Sequence, residues 1–139
     1  MFIENLNKII QDPPCLTSYT TQLLLGRLEL DHDQINEESC VFYFKAGQES
    51  FGATGLLESA IIYTASSKCL SAHLWALYGD PGVEISANLI VIQPTTQPST
   101  LQIKTRILHR TKKFIFTEVE IYNDQTLIAK FITQRYFSK

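Results

Sequence analysis

The chain has 139 residues, of which 45% are hydrophobic and 19% charged, and its formal net charge is −2. This composition is typical of one globular domain with a substantial core, and we assign residues 1–139 to a single domain. Residues 1–70 carry 4 Lys and Arg against 9 Asp and Glu, whereas residues 71–139 carry 8 against 5. That excess of three positive charges is too dilute for a nucleic-acid surface, so we expect at most a local anion site and no nucleic-acid partner.

The cysteines and the N-terminus indicate a cellular compartment. Cys15, Cys40 and Cys69 have no paired spacing, which favours reduced thiols buried as small hydrophobic side chains. No basic region followed by an apolar run marks a signal peptide. The apolar stretch Phe51–Leu77 is interrupted by charged residues before it is long enough to span a bilayer. We therefore expect a cytoplasmic protein without a membrane partner.

The first part of the chain predicts one helix and two strands. Apolar residues at helical spacing, halted at Asp12-Pro13-Pro14, predict an N-terminal helix and turn over residues 1–14. Leu23–Leu30 and Cys40–Lys45 are rich in apolar or β-branched residues and predict strands. The acidic, polar stretch Asp31–Ser39 between them is expected to be an exposed turn.

The stretch Phe51–Leu77 predicts one long core helix, because its apolar residues leave little room for a polar face. Glycines flank its start, and Ser50 or Thr54 is a possible N-cap. A buried helix of this length needs a sheet to cover it.

Four strands are predicted to follow this helix, at Val83–Ile92, Leu101–Leu108, Phe114–Tyr122 and Leu127–Tyr136. Pro94 and Pro98 end the first strand, and the later turns are of hairpin length. The four strands are therefore expected to form a meander of antiparallel neighbours. Because such a sheet buries its apolar face on the long helix, the sequence predicts an α+β fold.

The order of elements and three segments together carry a resemblance to a known fold. The segments are Gly55–Ala60 in the helix, Glu84–Pro94 in the next strand, and Arg106–Lys113, which leads into the strand Phe114–Tyr122. The chain from about Leu23 to Tyr136 resembles the hotdog fold, in which a curved antiparallel sheet wraps around one long central helix. The last two segments are similar to the strand-ending proline and the basic hairpin of acyl-CoA thioesterases in this superfamily. The resemblance implies an acyl-CoA or other acyl-thioester as ligand, and a homodimer or a dimer of dimers. Coenzyme A would be part of the substrate, so no separate cofactor and no metal are expected.

Glu58 is the first candidate catalytic residue. Burial in an apolar helix would raise the pKa of its carboxyl group, which suits a general base toward water or a nucleophile. In the resembling thioesterases an Asp or Glu on the central helix has this role. The alternative is that Glu58 lies near the helix start, partly hydrated and favoured by the helix dipole. Many of these thioesterases carry a His-Gly-Gly motif whose histidine lies nine residues before the acid, but this chain has Glu49, Ser50 and Phe51 there.

Ser50 and Gly52 complete the candidate catalytic set. Fluoroacetyl-CoA thioesterases place a threonine eight residues before their helix glutamate, where this chain has Ser50, which would orient Glu58 or the substrate carbonyl. The alternative for Ser50 is a helix cap. That branch also uses a histidine on the next strand, which is missing here near Asn88. Gly52 permits a close backbone approach, and the N–H groups from Gly52 to Gly55 would stabilise an oxyanion together with the helix N-terminus.

Arg110, Lys112 and Lys113 form a basic hairpin whose charges suit the phosphates of coenzyme A; the alternative is a solvated hairpin tip. The sequence thus predicts a thioesterase-like hydrolase that depends on Glu58, and leaves open a non-catalytic acyl-CoA or fatty-acyl binding module of the same fold. A hotdog dehydratase ranks last, because the stretch Cys40–Glu58 lacks the histidine that such an enzyme needs near the helix entrance.

Overall fold

The computed structural model describes residues 2–11 and 28–138. It contains two α-helices, a short 3₁₀ turn at Gln48–Ser50 and six strands, in the order α1 (Phe2–Gln11), β1 (Leu28–Ile35), β2 (Ser39–Ala46), α2 (Ser59–Tyr78), β3 (Val83–Val91), β4 (Ser99–Arg110), β5 (Phe114–Asn123) and β6 (Thr126–Tyr136). The predicted α+β class is confirmed. The predictions for Asp12-Pro13-Pro14, for Cys15 and for the first half of the strand at Leu23–Leu30 lie outside the described residues.

The six strands form one antiparallel sheet in the order β1-β2-β4-β5-β6-β3. The meander is confirmed for β4, β5 and β6, but the expectation that β3 lies beside β4 is wrong, because β3 pairs with β6. After β3 the chain runs along the sheet end: the N–H groups of Ile92 and Gln93 both donate to Ile128 O, at 2.8 and 3.1 Å. The N–H of Leu57 donates to Thr95 O at 2.9 Å, so this connection also holds the segment before α2. Because β3 is the last strand in the sheet order and pairs with β6 on one side, it is an edge strand.

The acidic stretch predicted as a turn belongs mostly to strand β1. The observed turn is limited to residues 36–38, where Asn36 Oδ1 accepts hydrogen bonds from the N–H groups of Glu38 and Ser39 at 2.9 Å. Strand β1 lies at the other edge of the sheet, and three of its polar side chains, His32, Asp33 and Gln34, are exposed to solvent. An edge position therefore lets polar residues form a strand that their composition argues against.

Helix α2 is buried between the sheet and α1. The buried residues of α2 recur every three or four positions, which gives the helix a face toward the sheet. Helix α1 packs against α2, and Leu6 of α1 is fully buried. The free thiols of Cys40 and Cys69 lie in this core, as predicted, and burial raises the pKa of Cys40 to about 12. The helix ends where Gly79 adopts the left-handed conformation at φ 71°, with its N–H donating to Trp75 O. Neither helix in the described ranges is long and apolar enough to cross a membrane.

His73 joins α2 to two other elements inside the core. Its Nδ1 lies 2.9 Å from Thr105 Oγ1 of β4, and its Nε2 lies 2.9 Å from Glu37 O in the β1–β2 turn. Since a carbonyl only accepts hydrogen bonds, Nε2 carries a proton. In the neutral ring Nδ1 is then an acceptor for the hydroxyl of Thr105, which also lies 3.4 Å from Cys40 O. Burial lowers the pKa of His73 below its ordinary value, so the neutral ring is the form that fits.

Candidate functional site

Glu58 is the N-cap residue of α2 and not a member of the helix. Its backbone is extended, at φ −70° and ψ 134°, and its side chain makes no capping hydrogen bond and is exposed. The expectation that Glu58 is buried in an apolar helix is therefore wrong for the single chain, because the predicted helical stretch before it is a loop. The alternative position near the helix start is the observed one.

The loop before α2 is closed by its own backbone. Phe51 and Leu57 form an isolated antiparallel bridge. Inside it, the N–H of Gly52 donates to Leu56 O and the N–H of Gly55 donates to Gly52 O, both at 3.0 Å. These two N–H groups, which the sequence indicated as donors to an oxyanion, are thus already bonded within the loop.

The structure brings Ser50, Gly52 and Glu58 together. A Cβ atom added at Gly52 would lie 2.8 Å from Glu58 Oε1, so only glycine lets the carboxylate rest against the backbone here. The N–H of Glu58 donates to Ser50 O at 3.1 Å. Ser50 itself is buried and ends the 3₁₀ turn, so its alternative role as the cap of the long helix is wrong, as is that of Thr54.

The first turn of α2 offers backbone donors beside this carboxylate. The N–H groups of Ile61 and Ile62 both donate to Glu58 O, at 3.1 and 3.3 Å. Helix geometry leaves the preceding N–H groups, those of Ser59 and Ala60, without an acceptor inside the helix. The positive end of the helix dipole lies at the same place, and it favours negative charge. The carboxylate and the two N–H groups thus belong to consecutive residues at one helix terminus.

The basic hairpin lies at the other end of α2. The guanidinium carbon of Arg110 is 3.8 Å from the ring centroid of Tyr78, the last residue of α2, and Lys113 Nζ is 5.9 Å from that of Tyr136. A helix of 20 residues is about 30 Å long, so one chain does not bring Arg110 to Glu58. The candidate phosphate contacts and the candidate catalytic residues are separate in the single chain.

A buried ionic group beside β3 was missed by the sequence interpretation. Arg135 is 2% exposed and its Nη2 lies 3.5 Å from Glu84 Oε1, while the hydroxyl of Tyr63 donates to Glu84 Oε2 at 2.5 Å. The guanidinium also donates to both hydroxyls of Ser67 and Ser71 and to two backbone carbonyls. Burial lowers the pKa of Arg135, and Glu84 opposes this shift. One signal could have predicted its burial: alternate residues of β6 face the core, and Arg135 is one of them.

The fold is similar to solved structures of thioesterase superfamily proteins over most of the chain. Thioesterase superfamily member 2 from Mus musculus superposes with a TM-score of 0.81 over 98% of this chain and 97% of its own, at 18% identity. The PaaI protein from the phenylacetic acid degradation operon of E. coli gives 0.77 over 97% and 96%, at 14% identity. The chain has the hotdog fold. A hypothetical thioesterase protein from Streptococcus pneumoniae, solved with coenzyme A, gives 0.73 over 80% of this chain and 85% of its own, at 16% identity.

At identities of 14–18%, this similarity establishes the fold of the chain and not its activity. No protein-family model and no curated protein matches the sequence. Within the part of the chain that the structure describes, no three His, Cys, Asp or Glu residues are grouped so as to hold a metal ion.

Proposed function

We propose that this hotdog protein is a cytoplasmic acyl-CoA thioesterase in which Glu58 acts on the thioester. The observation that carries the proposal is the position of the Glu58 carboxylate, which makes no capping hydrogen bond and lies against Gly52, on the residue directly before the helix N–H groups of Ser59 and Ala60. A carboxylate and a pair of N–H donors are the two groups that thioester hydrolysis requires.

In the proposed reaction, water attacks the acyl carbon and Glu58 takes its proton. The carbonyl oxygen becomes negative and accepts hydrogen bonds from the N–H groups of Ser59 and Ala60, since that of Gly52 is bonded to Leu56 O. Collapse of the tetrahedral intermediate breaks the carbon–sulfur bond, and Glu58 returns the proton to the sulfur of coenzyme A. In the alternative mechanism the Glu58 carboxylate attacks the acyl carbon and displaces the coenzyme A thiolate, which leaves a mixed anhydride. Water then attacks the Glu58 carboxyl carbon of this anhydride, releases the acyl group as its carboxylate and supplies the proton that the thiolate takes up. In either mechanism the backbone carbonyl of Ser50 accepts a hydrogen bond from the N–H of Glu58 and so positions that residue. We propose the Ser50 hydroxyl as an auxiliary hydrogen-bonding group.

A second function, a non-catalytic acyl-CoA or fatty-acyl binding module, is favoured by a specific observation. The loop N–H groups of Gly52 and Gly55 are bonded internally, and the side chain of Glu58 is exposed. Such a protein would keep the fold and the ligand site without the chemistry.

We propose that the protein acts as a homodimer or a dimer of dimers. Strand β3 is a nine-residue edge strand with exposed apolar side chains, among them Val83 at 60% and Ile85 at 52%. Such an edge pairs readily with another strand. Antiparallel pairing with a second β3 about a two-fold axis would bury these side chains.

This pairing would also join the two halves of the ligand site. The Val91 end of β3 leads to Thr95, which is bonded to Leu57 beside Glu58. The Val83 end pairs with Tyr136, which in turn pairs with Phe114 at the basic hairpin. Two antiparallel β3 strands place the Val83 end of one subunit near the Val91 end of the other. We therefore propose that Arg110, Lys112 and Lys113 of one subunit contact the coenzyme A whose acyl group lies at Glu58 of the other.

The test of function is the release of free coenzyme A from short, long and aryl acyl-CoA thioesters, with acyl-CoA binding measured on the same samples. We expect turnover by the wild type and its loss in Glu58→Gln with binding retained. Glu29→Gln, at an exposed acid of strand β1, is the matched control. Saturable binding without release by any variant would identify the binding module instead. Single turnover in ¹⁸O-water tests the nucleophilic mechanism, because label appears in the Glu58 carboxylate only when Glu58 has formed the anhydride and water attacks the Glu58 carboxyl carbon.

The test of assembly is the molar mass in solution of an edge variant. Ile90→Lys places a charge on β3, and Leu108→Lys places the same charge on β4, at a side chain of similar exposure. We expect only the β3 variant to sediment as a monomer. Unchanged mass for both variants would contradict pairing through this edge.

A further inference from the structure

Arg110 is held in place by two aromatic side chains from elsewhere in the chain. Its guanidinium carbon lies 3.8 Å from the ring centroid of Tyr78 and 4.9 Å from that of Phe137. The two rings contact each other edge to face, with centroids 5.6 Å apart and an interplanar angle of 69°. Tyr78 ends α2 and Phe137 follows β6, so three separate elements meet at this side chain.

The hairpin that carries Arg110 is itself fixed. The N–H of Thr111 donates to Phe114 O at 2.9 Å, and the N–H of Phe137 donates to Lys113 O at 2.7 Å. The second bond ties the hairpin tip to the residue that supplies one of the two rings. Arg110, Thr111 and Lys112 are exposed, as the alternative of a solvated hairpin tip expects, but the side chain of Arg110 is nevertheless held by the two rings.

A guanidinium that lies on an aromatic ring keeps its in-plane N–H donors for a ligand. Cation–π stacking uses the face of the group, whereas a phosphate is bound through the edge in a bidentate manner. Fixing the side chain also reduces the conformational entropy that binding would otherwise remove. Glu37 and Glu38 line the cavity of about 430 Å³ on one side of Arg110, so an anion would approach from the side of Lys112 and Lys113.

We propose that Tyr78 is a positioning residue for coenzyme A binding: its ring, with that of Phe137, holds Arg110 ready for a phosphate of the nucleotide portion. This inference rests on the proposed function, since it assumes an acyl-CoA ligand. It predicts that the ring of Tyr78 matters and its hydroxyl does not, and that the effect is limited to ligands that carry the nucleotide.

The experiment measures the affinity of the full chain for coenzyme A and for pantetheine by calorimetric titration, and the KM for an acyl-CoA and the matching acyl-pantetheine. Tyr78→Leu is expected to weaken coenzyme A binding about three- to tenfold, with a matching rise in KM for acyl-CoA and unchanged kcat. Arg110→Ala is expected to cost about tenfold or more, since it removes the charge-assisted contact itself. Tyr78→Phe should match the wild type, and so should Tyr122→Leu, a control at a half-buried tyrosine of strand β5.

The outcomes separate this inference from the function on which it rests. Coenzyme A affinity unchanged in Tyr78→Leu, or lowered equally in Tyr78→Phe, would overturn the positioning role while leaving the acyl-CoA ligand in place. An equal loss for pantetheine ligands would show a general structural defect and would also overturn it. A wild type that binds neither coenzyme A nor acyl-CoA would refute the proposed function itself.

Discussion

Replacement of Glu84 by Gln tests the buried ionic group that fastens edge strand β3 to the core. The change keeps the size of the side chain and removes the negative charge facing Arg135, which is 2% exposed. Removal of one partner from a buried ion pair costs about 3–5 kcal/mol, because the other charge stays buried without compensation. Two features reduce this figure: the Glu84 side chain is 22% exposed, and Arg135 keeps its bonds to hydroxyl and carbonyl oxygens. We therefore expect Glu84→Gln to lower the free energy of unfolding by about 2–3 kcal/mol.

Urea unfolding followed by circular dichroism measures this loss. With a slope of about 1–3 kcal/mol per molar urea, the midpoint should fall by about 0.7–3 M with the slope unchanged. Glu29→Gln is the matched control, since its pair with Lys45 at 3.2 Å joins side chains that are 65% and 66% exposed. That pair should contribute below about 1 kcal/mol. A Glu84→Gln variant as stable as the control would refute the reasoning that Glu84 compensates a buried cation.

Three further predictions concern pH, backbone strain and thiol access. Burial lowers the pKa of His73 below 6.5, so the unfolded chain takes up a proton before the folded chain does as the pH falls below that value. The free energy of unfolding should therefore decrease below pH 6.5. Unfolding experiments at several pH values should show a smaller decrease for His73→Gln. Gly79→Ala places a Cβ on a residue at φ 71° with open space around it, so strain alone should cost about 1–2 kcal/mol and lower the thermal midpoint; an unchanged midpoint would contradict the left-handed cap. In a Cys15→Ser background, Cys40 and Cys69 should react with a thiol reagent only after unfolding, and rapid labelling of the native protein would contradict their burial.

The architecture could be predicted largely because its signals are local. Alternation along β3 to β6 and the long apolar stretch of α2 each lie within one segment of the chain. The four strands predicted after α2 agree with the observed ones to within about two residues, whereas the predicted Leu23–Leu30 ends five residues before β1 does. The place of β3 at the sheet edge could not be predicted in this way. It depends on the pairing of Leu89 with Phe131, two residues far apart in the chain.

The site shows the same limit at the level of single residues. Glu58, Gly52 and Ser50 became candidates through the apolar setting of Glu58 and the resemblance to thioesterases. The start of α2 depends on the bond between Leu57 and Thr95, which the apolar composition does not reveal. The burial assigned to Glu58 was therefore wrong. Likewise, the positive charge of Arg110 is evident in the sequence, whereas its aromatic partners belong to elements that only the folded chain brings together.

The most direct test of the central claim is a single-turnover measurement with enzyme in excess over an acyl-CoA that the wild type binds, in wild type and Glu58→Gln. This rate reports bond cleavage without product release. We predict that Glu58→Gln binds the thioester with similar affinity and cleaves it about 10²–10⁴-fold more slowly, as expected when a general base is removed. Equal cleavage rates in the two proteins would contradict a catalytic role for Glu58.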